Sequence, residues 1–522
     1  MTKYLLLAAA SLAVAGCQSQ QPANPDTEQA LSEWRVDPAK VDANDLRQAV
    51  KDADARRFYE ATGWKAAWTQ DKADALLRAL GEAPRHALEQ KMFLPAGAPD
   101  DASQIEAALT AAAVGYANAL ARGRVDPTKV REVYTVPRPK TDVVKGLQVA
   151  VSENRLPELF RALAPQTAEY RALSEAYLRY RKEAASNAGP TIGDGEPLEV
   201  GKSDPRVAPL AEALRTNGYL PDDDRREQSG GDQQQGEAPP QTYTPEIAAA
   251  VKRMQADYGI DTDGVVGEDT LQVLNTGPKA RARQLAVNME RMRWLERTPP
   301  QTRIDVNTAA AFLDYWREGQ RRDRRRVVVG QPEWETPQLG SPMYRLVANP
   351  TWTIPKSIEE DEIAEKGPGY LAANNMVRKG GFIVQQPGPK NALGQVKFDM
   401  LNEEAIYLHD TPAKALFQES QRQRSHGCVR VDDALGFAQV IARDEGVLPE
   451  FVKAMQTGDE TFVKLPKQIP VRLLYHTAFV DDSGRVRFRA DPYGWDDDLA
   501  VALGLAQRAR RVLQNQHGDV GP

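Results

Sequence analysis

The sequence predicts a multidomain α+β protein with a helical N-terminal scaffold, a three-helix module and a β-rich C-terminal part. Three observations carry this. Up to about residue 185 the apolar residues recur at helical spacing between Pro and Gly breaks. From about 200 to 275 three short amphipathic segments with cap signals follow one another. From 302 to about 477 the pattern changes to β-branched and aromatic runs separated by Gly, Pro and Asn. A chain of 522 residues has room for several such cores.

Residues 1–16 hold one lysine, an apolar run from Tyr4 to Val14 and small residues before Cys17. This is the pattern of an export signal, too short to span a bilayer. Val14-Ala15-Gly16-Cys17 resembles a bacterial lipobox, in which cleavage leaves Cys17 as a lipid-bearing amino terminus on the membrane. The plainer alternative is a small residue near a cleavage site. Residues 17–31, polar and Pro-containing, read as a tether.

Residues 32–199 form the helical scaffold, with Phe58, Tyr59, Trp64 and Trp68 as core positions. In residues 200–276, Asp204-Pro205 announces a first helix, Thr244-Pro245 a second, and Thr270, Leu271 and Leu274 mark a third. A Gln-, Gly- and Pro-rich insertion at 222–241 should be disordered. Residues 277–300 read as a long amphipathic connecting helix ending at Pro299-Pro300. Residues 301–480 are the β-rich domain, and 481–522 a C-terminal extension with a helix at 499–513.

Net charge of −6 gives no electrostatic footprint for nucleic acid. The one dense basic run, Arg321-Arg322-Asp323-Arg324-Arg325-Arg326, reads as a solvated turn capping a hairpin, with contact to anionic envelope polymers as the alternative.

The chain has two cysteines, and acylation of Cys17 leaves Cys428 as the mature protein's single thiol, so no internal disulfide can form. Cys428 lies in Ser425-His426-Gly427-Cys428-Val429-Arg430, nineteen residues after His409 in Tyr407-Leu408-His409-Asp410-Thr411-Pro412. A nucleophilic thiol needs an imidazole or another cation beside it, and His409 and His426 are the two candidates. Zinc held by His409, His426 and Cys428 is a rival reading, weakened by the lack of a fourth ligand nearby. No cofactor is called for.

Asn349-Pro350-Thr351-Trp352, the stretch from Pro387 to Gly394 and the two motifs above resemble the L,D-transpeptidases, in the long YcbB-like branch with a YkuD-type β-sandwich catalytic domain. The 200–276 segment, with its Asp-Gly-Val-Val-Gly loop, is similar to the peptidoglycan-binding domain of cell-wall enzymes. The resemblance implies that Cys428 is the nucleophile and His409 the general base, with the backbone carbonyl of Asp410 orienting the ring and the Gly427 N–H serving the oxyanion. It implies substrate contacts from Tyr407, Asn391, Gly394 and Trp352, each of which could equally be scaffolding. Ser425 and His426 are placed at the substrate side of the loop but suit loop shaping better, and Arg430 serves a substrate carboxylate or loop support. It implies a cap at about 359–386, shorter than in relatives.

The implied reaction is a Cys428 thioester with a peptidoglycan tetrapeptide stem, released D-Ala, and transfer to a diaminopimelate amine as a 3-3 cross-link. D-amino acid exchange and hydrolysis use the same thioester. The partners are stem peptides, glycan strands, a membrane through Cys17 and other cell-wall synthesis enzymes, in the periplasm-facing envelope at the outer membrane, with carbapenems as acylating inhibitors. A non-catalytic wall-binding lipoprotein is the rival from another class.

Overall fold

A computed structural model describes residues 25–186, 191–221, 241–367 and 369–505. The expected export signal, Cys17, all of the 222–241 insertion except Gln241 and the tail beyond 505 lie outside the described residues. The chain folds as two compact units. The first takes in residues up to Pro84, Leu88–Tyr116 and Val144–Phe160; the second holds Arg85–Ala87, Ala117–Val143 and the residues from Arg161 on.

The first seven helices are α1 (Pro25–Glu33), α2 (Ala43–Ala49), α3 (Ala53–Thr62), α4 (Gln70–Gly81), α5 (Ala102–Arg122), α6 (Val143–Ser152) and α7 (Leu156–Leu163). Asp42 and Asp52 cap α2 and α3 by accepting from the first free N–H groups, and Gly63, with φ of +67°, closes α3. Phe58, Tyr59 and Trp68 are core as expected, whereas Trp64 is only half-buried and stacks on Tyr59. Thr110 Oγ joins the Tyr59 hydroxyl at 2.6 Å and the Trp68 indole at 2.7 Å, which satisfies both buried polar tips. The expected tether is shorter than 17–31: from Pro25 on it is α1, whose Thr27 and Ala30 are buried.

In the second unit follow α8 (Ala168–Ser186), α9 (Val207–Thr216), α10 (Pro245–Tyr258), α11 (Glu268–Leu274) and α12 (Pro278–Trp294). Thr244 caps α10 as the sequence implies, but α9 starts at Val207, because Asp204 spends its carboxylate on the N–H and guanidinium of Arg206. Gln255 on α10 fastens the loop to α11: its amide donates to Asp263, Val265 and Thr270, and its oxygen accepts from Gly264.

Helix α12 is not an amphipathic surface helix. Every residue from Leu285 to Trp294 is buried, including Asn288, Glu290, Arg291 and Arg293. The charges are tolerated there because each is paired. Arg291 meets Asp496 at 2.5 Å, and Arg293 meets Glu290 at 2.5 Å and the Tyr170 hydroxyl at 2.9 Å. Asn288 exchanges hydrogen bonds with Thr477. Helices α8 to α12 share one apolar core with Ala478 and Phe488.

The β-rich domain comprises β1 (Arg303–Asn307), β2 (Phe312–Arg317), β3 (Gln320–Gly330), β4 (Gly340–Ala348), β5 (Trp352–Thr353), β6 (Met376–Lys379), β7 (Phe382–Gln385), β8 (Val396–Met400), β9 (Leu408–His409), β10 (Gln423–Ser425), β11 (Val429–Val431) and β12 (Thr461–Leu474). The large sheet has the order β10-β3-β11-β9-β8-β4-β12-β1-β2, and β3 also pairs with β2, so the sheet closes on itself. Its interior holds Val306, Leu313, Val329, Leu346, Phe398, Leu408 and Val429, packed against Phe437 and Ile441 of a helix at Ala434–Asp444.

The arginine run does not form the hairpin turn. Glu318 and Gly319, both at positive φ, make the turn, and the run lies in β3. It is held there by acids: Arg324 on Asp314, Arg325 on Asp323 and Asp433, and Arg326 on Asp432. In the β-branched and aromatic run Ala405-Ile406-Tyr407-Leu408 only Leu408 joins a strand, Leu408–His409, and Ala405 takes a φ of +54°. A helix at Trp495–Ala502 begins four residues before the expected 499–513, of which the part from 506 on lies outside the described residues.

The cap is a folded piece, with β5, β7 and β6 in one small sheet and a π-helical turn at Glu359–Ile363. Trp352, Ile354, Ile358, Ile363, Met376 and Ile383 form its own apolar centre.

Candidate active site

Strands β9 and β11 run parallel and in register, Leu408 opposite Val429 and His409 opposite Arg430. Side chains alternate between faces along a strand. Leu408 and Val429 therefore point into the sheet's core, and Tyr407 and His409 share the opposite face with Cys428 and Arg430. The Val429 N–H donates to the Tyr407 carbonyl at 3.1 Å, which sets Cys428 beside Tyr407. The Tyr407 and His409 rings meet edge to face at 5.6 Å.

The thiol of Cys428 is free and buried, with Sγ 3.9 Å from the Ala405 carbonyl. Burial pushes its pKa up to about 11, against the pull of the Tyr407 backbone and hydroxyl and the Lys397 and Arg430 charges. His409 is fully buried, and burial, seconded by the Arg430 charge, lowers its pKa to about 3. The site thus rests as a neutral thiol and a neutral imidazole.

His409 Nδ1 donates to the Asp410 carbonyl at 2.5 Å, the bond expected of the orienting residue. That carbonyl is itself well fixed. The Asp410 N–H donates to Val396 O at 2.9 Å, and its carboxylate accepts from the Gln395 N–H at 2.9 Å and pairs with Lys414. His409 Nε2 is buried without a hydrogen-bond partner, so the thiol–imidazole bond is not made in this state. Such bonds commonly tighten only around substrate.

Several expected substrate contacts are structural instead. Trp352, 1 % exposed, belongs to the centre of the cap. Asn391, also 1 % exposed, donates to Pro350 O and Gln386 O and accepts from the Leu393 N–H. Gly394 sits at φ of +61°, and a Cβ there would run into the Asp410 carboxylate, so its role is close approach. Ser425 is buried and donates to Cys428 O at 2.6 Å, bracing the loop. Ser425 Oγ also accepts from the Gly427 N–H at 3.2 Å, so that N–H is not an open oxyanion donor here. Arg430 is 1 % exposed, which suits support of the sheet and not a clamp on a solvent-borne carboxylate. Tyr407 stays half-buried beside the thiol. His426 turns toward the cap, where its Nε2 lies 2.8 Å from Glu362 Oε1.

Sequence reasoning missed Lys397, Thr336 and Tyr493 as parts of the site. Lys397 on β8 pairs with His409 from the other flank, and its Nζ lies 4.2 Å from the Tyr407 ring centroid. The alternation Val396-Lys397-Phe398-Asp399 was its only signal. Thr336 Oγ donates to the Gly427 carbonyl at 2.8 Å and accepts from the Gly330 N–H at 2.8 Å. The Tyr493 hydroxyl donates to Gly330 O at 2.6 Å. Gly427 itself takes a φ of +109°, which favours glycine at the turn into Cys428.

Residues 301–460 match the family model described as the L,D-transpeptidase catalytic domain, with the YkuD name. Residues 53–176 match a scaffold domain, and residues 203–274 a "Putative peptidoglycan binding domain". A curated protein of Haemophilus influenzae named "Putative L,D-transpeptidase" is 28 % identical over 255 residues, covering 44 % of this chain and 52 % of that protein. The chain therefore spans about half the length of this relative. Among solved structures, the L,D-transpeptidase of Xylanimonas cellulosilytica is 14 % identical, with 54 % of this chain and 98 % of that one covered and a TM-score of 0.19. That of Stackebrandtia nassauensis is 14 % identical, with 55 % and 96 % covered and a TM-score of 0.23.

Proposed function

From a chain whose residues 301–460 match an L,D-transpeptidase catalytic domain, we propose a peptidoglycan L,D-transpeptidase that works through a thioester on Cys428. The observation that supports this best is the free thiol set on one sheet face with an imidazole whose Nδ1 is tied to Asp410 O and whose Nε2 is uncommitted.

On substrate binding, His409 Nε2 takes the thiol proton as sulfur attacks the carbonyl of the L-centre of diaminopimelate in a tetrapeptide stem. The C–S bond forms, the C–N bond to D-Ala breaks, and the proton passes to the leaving amine. An acceptor amine then attacks the thioester, giving a 3-3 cross-link and restoring the thiol. Lys397 and Arg430 favour the thiolate during attack, since both lower the Cys428 pKa. The pairing of a neutral base with a neutral thiol suits proton transfer in the transition state, as opposed to a standing ion pair.

The match of residues 203–274 supports peptidoglycan as the partner and the cell envelope as the location. Lipidation at Cys17 and an outer-membrane anchor belong to the same proposal. Among the described residues no helix is long and apolar enough to cross a membrane.

The test is incubation of the purified protein with tetrapeptide muropeptides and mass analysis of protein and products. A stem adduct on Cys428, with 3-3 dimers and free D-Ala, is expected. No adduct and unchanged muropeptides would refute the reading.

A further inference from the structure

The irregular π-helical turn Glu359–Ile363 lies in the cap, and such turns recur at functional sites. Its Glu362 reaches the nucleophile loop, with Oε1 accepting from His426 Nε2 at 2.8 Å. His426 stands two residues before Cys428 and is held by the edge of the Trp334 ring at 5.1 Å. The second carboxylate oxygen, Oε2, is buried with no hydrogen-bond partner. The side chain is only 18 % exposed, so this oxygen forgoes hydration without a protein donor in return. Lys356 and Arg378 of the cap both pair with Glu359. Glu362 thus presents half a carboxylate, fixed at the nucleophile loop and lacking a donor.

We propose that Glu362 Oε2 binds the primary ammonium of the acceptor substrate and so selects an amine over water in the second half-reaction. This rests on the thioester reading above. A carboxylate oxygen already oriented by His426 suits a compact ammonium, which brings three donors and a full charge, better than it suits water. The nitrogen loses two protons as it becomes an amide. One leaves through Glu362 to solvent and the other returns to the Cys428 sulfur by way of His409, while the C–N bond forms and the C–S bond breaks. The ligand class is a charged primary amine, whether on the side chain of a diamino acid in a stem or on a free D-amino acid.

The experiment measures the ratio of amide product to hydrolysed stem for the full protein and for Glu362→Gln. Glutamine keeps an oxygen for His426 but loses the charge. Three acceptors are compared: a diaminopimelate-containing stem, D-methionine, and hydroxylamine, which is largely neutral at pH 7. The ratio should fall about tenfold for the charged acceptors, the worth of a charge-assisted hydrogen bond, and change less than twofold for hydroxylamine. A fall with only one charged acceptor identifies which source the site serves. An unchanged ratio with both charged acceptors, or an equal fall with hydroxylamine, overturns the inference. Intact mass of the native protein with donor alone is read first. Failure to acylate there counts against the thioester reading, whereas acylation with an unaltered partition counts against Glu362 alone.

Discussion

His409 stands in register with Arg430 across the parallel pairing of β9 and β11. A guanidinium facing a buried imidazole penalises the imidazolium, and Lys397 does the same from β8. Burial first, and these two charges after it, hold the ring in its neutral form near pH 7, while the same two charges favour the thiolate.

The acylation rate should therefore be level from about pH 5 to 9, since the imidazole titrates near 3 and the thiol near 11. Lys397→Met removes a charge that lowers both pKa values, so the acidic limb moves to higher pH and iodoacetamide alkylation of Cys428 slows. Stopped-flow acylation and alkylation rates against pH would check both. A native profile falling through pH 6 to 7 would contradict the neutral pair.

Burial of neutral histidine makes stability depend on pH. His86, His409 and His476 each have a folded pKa near 3, below the ordinary 6.5, so the unfolded chain binds more protons as acidity rises. Their contribution is complete above pH 6.5 and is lost as pH falls toward 3. Each costs up to about 1.4 kcal/mol per pH unit in that window. Urea unfolding at pH 7 and pH 5 should show the loss, and His409→Gln should reduce the difference by the share of one group.

Thr336→Val strips the hydroxyl that links Gly427 O to the Gly330 N–H. Two buried groups lose their partner, which costs about 1–3 kcal/mol. The loop that ends in Cys428 loosens, so acylation kcat should fall more than KM changes. Tyr493→Phe should act in the same direction through Gly330. Equal kcat in both variants would show that this relay does not position the nucleophile.

Gly394→Ala places a methyl at φ of +61° against the Asp410 carboxylate. Backbone strain of about 1–3 kcal/mol is expected, with displacement of the carbonyl that holds His409 Nδ1. Thermal unfolding should drop and acylation should slow together. Full activity with lowered stability would separate Gly394 from the orientation of the ring.

The motifs told which residues meet but not what each one touches. The meeting of Cys428 with His409 and of His409 with the Asp410 carbonyl was legible because the two short motifs that hold them fall on paired strands β9 and β11. Asn391 and Trp352 looked the same as motif letters, yet burial gives one to backbone carbonyls and the other to the cap's centre. Helix α12 misled for a physical reason: its arginines have partners far along the chain, Asp496 and Tyr170, so polar letters did not mean a wet face. The β3 arginines misled likewise, since Asp314 faces them across the hairpin and Asp432 and Asp433 lie far along the chain. Glu362 carried no sequence signal, being one acid among several between Glu359 and Glu365.

The enclosure of α12 has a mechanical consequence. A helix whose Arg291 is neutralised by Asp496 and whose Arg293 bonds Tyr170 cannot slide or swing without stranding them in an apolar interior, so the 203–274 segment and the β-rich domain are joined by a stiff strut in place of a hinge. If that segment grips a glycan strand, the thiol works at a set distance from it. The molecule would then behave as a ruler, reaching stems at one offset along the polymer and passing over those nearer or farther.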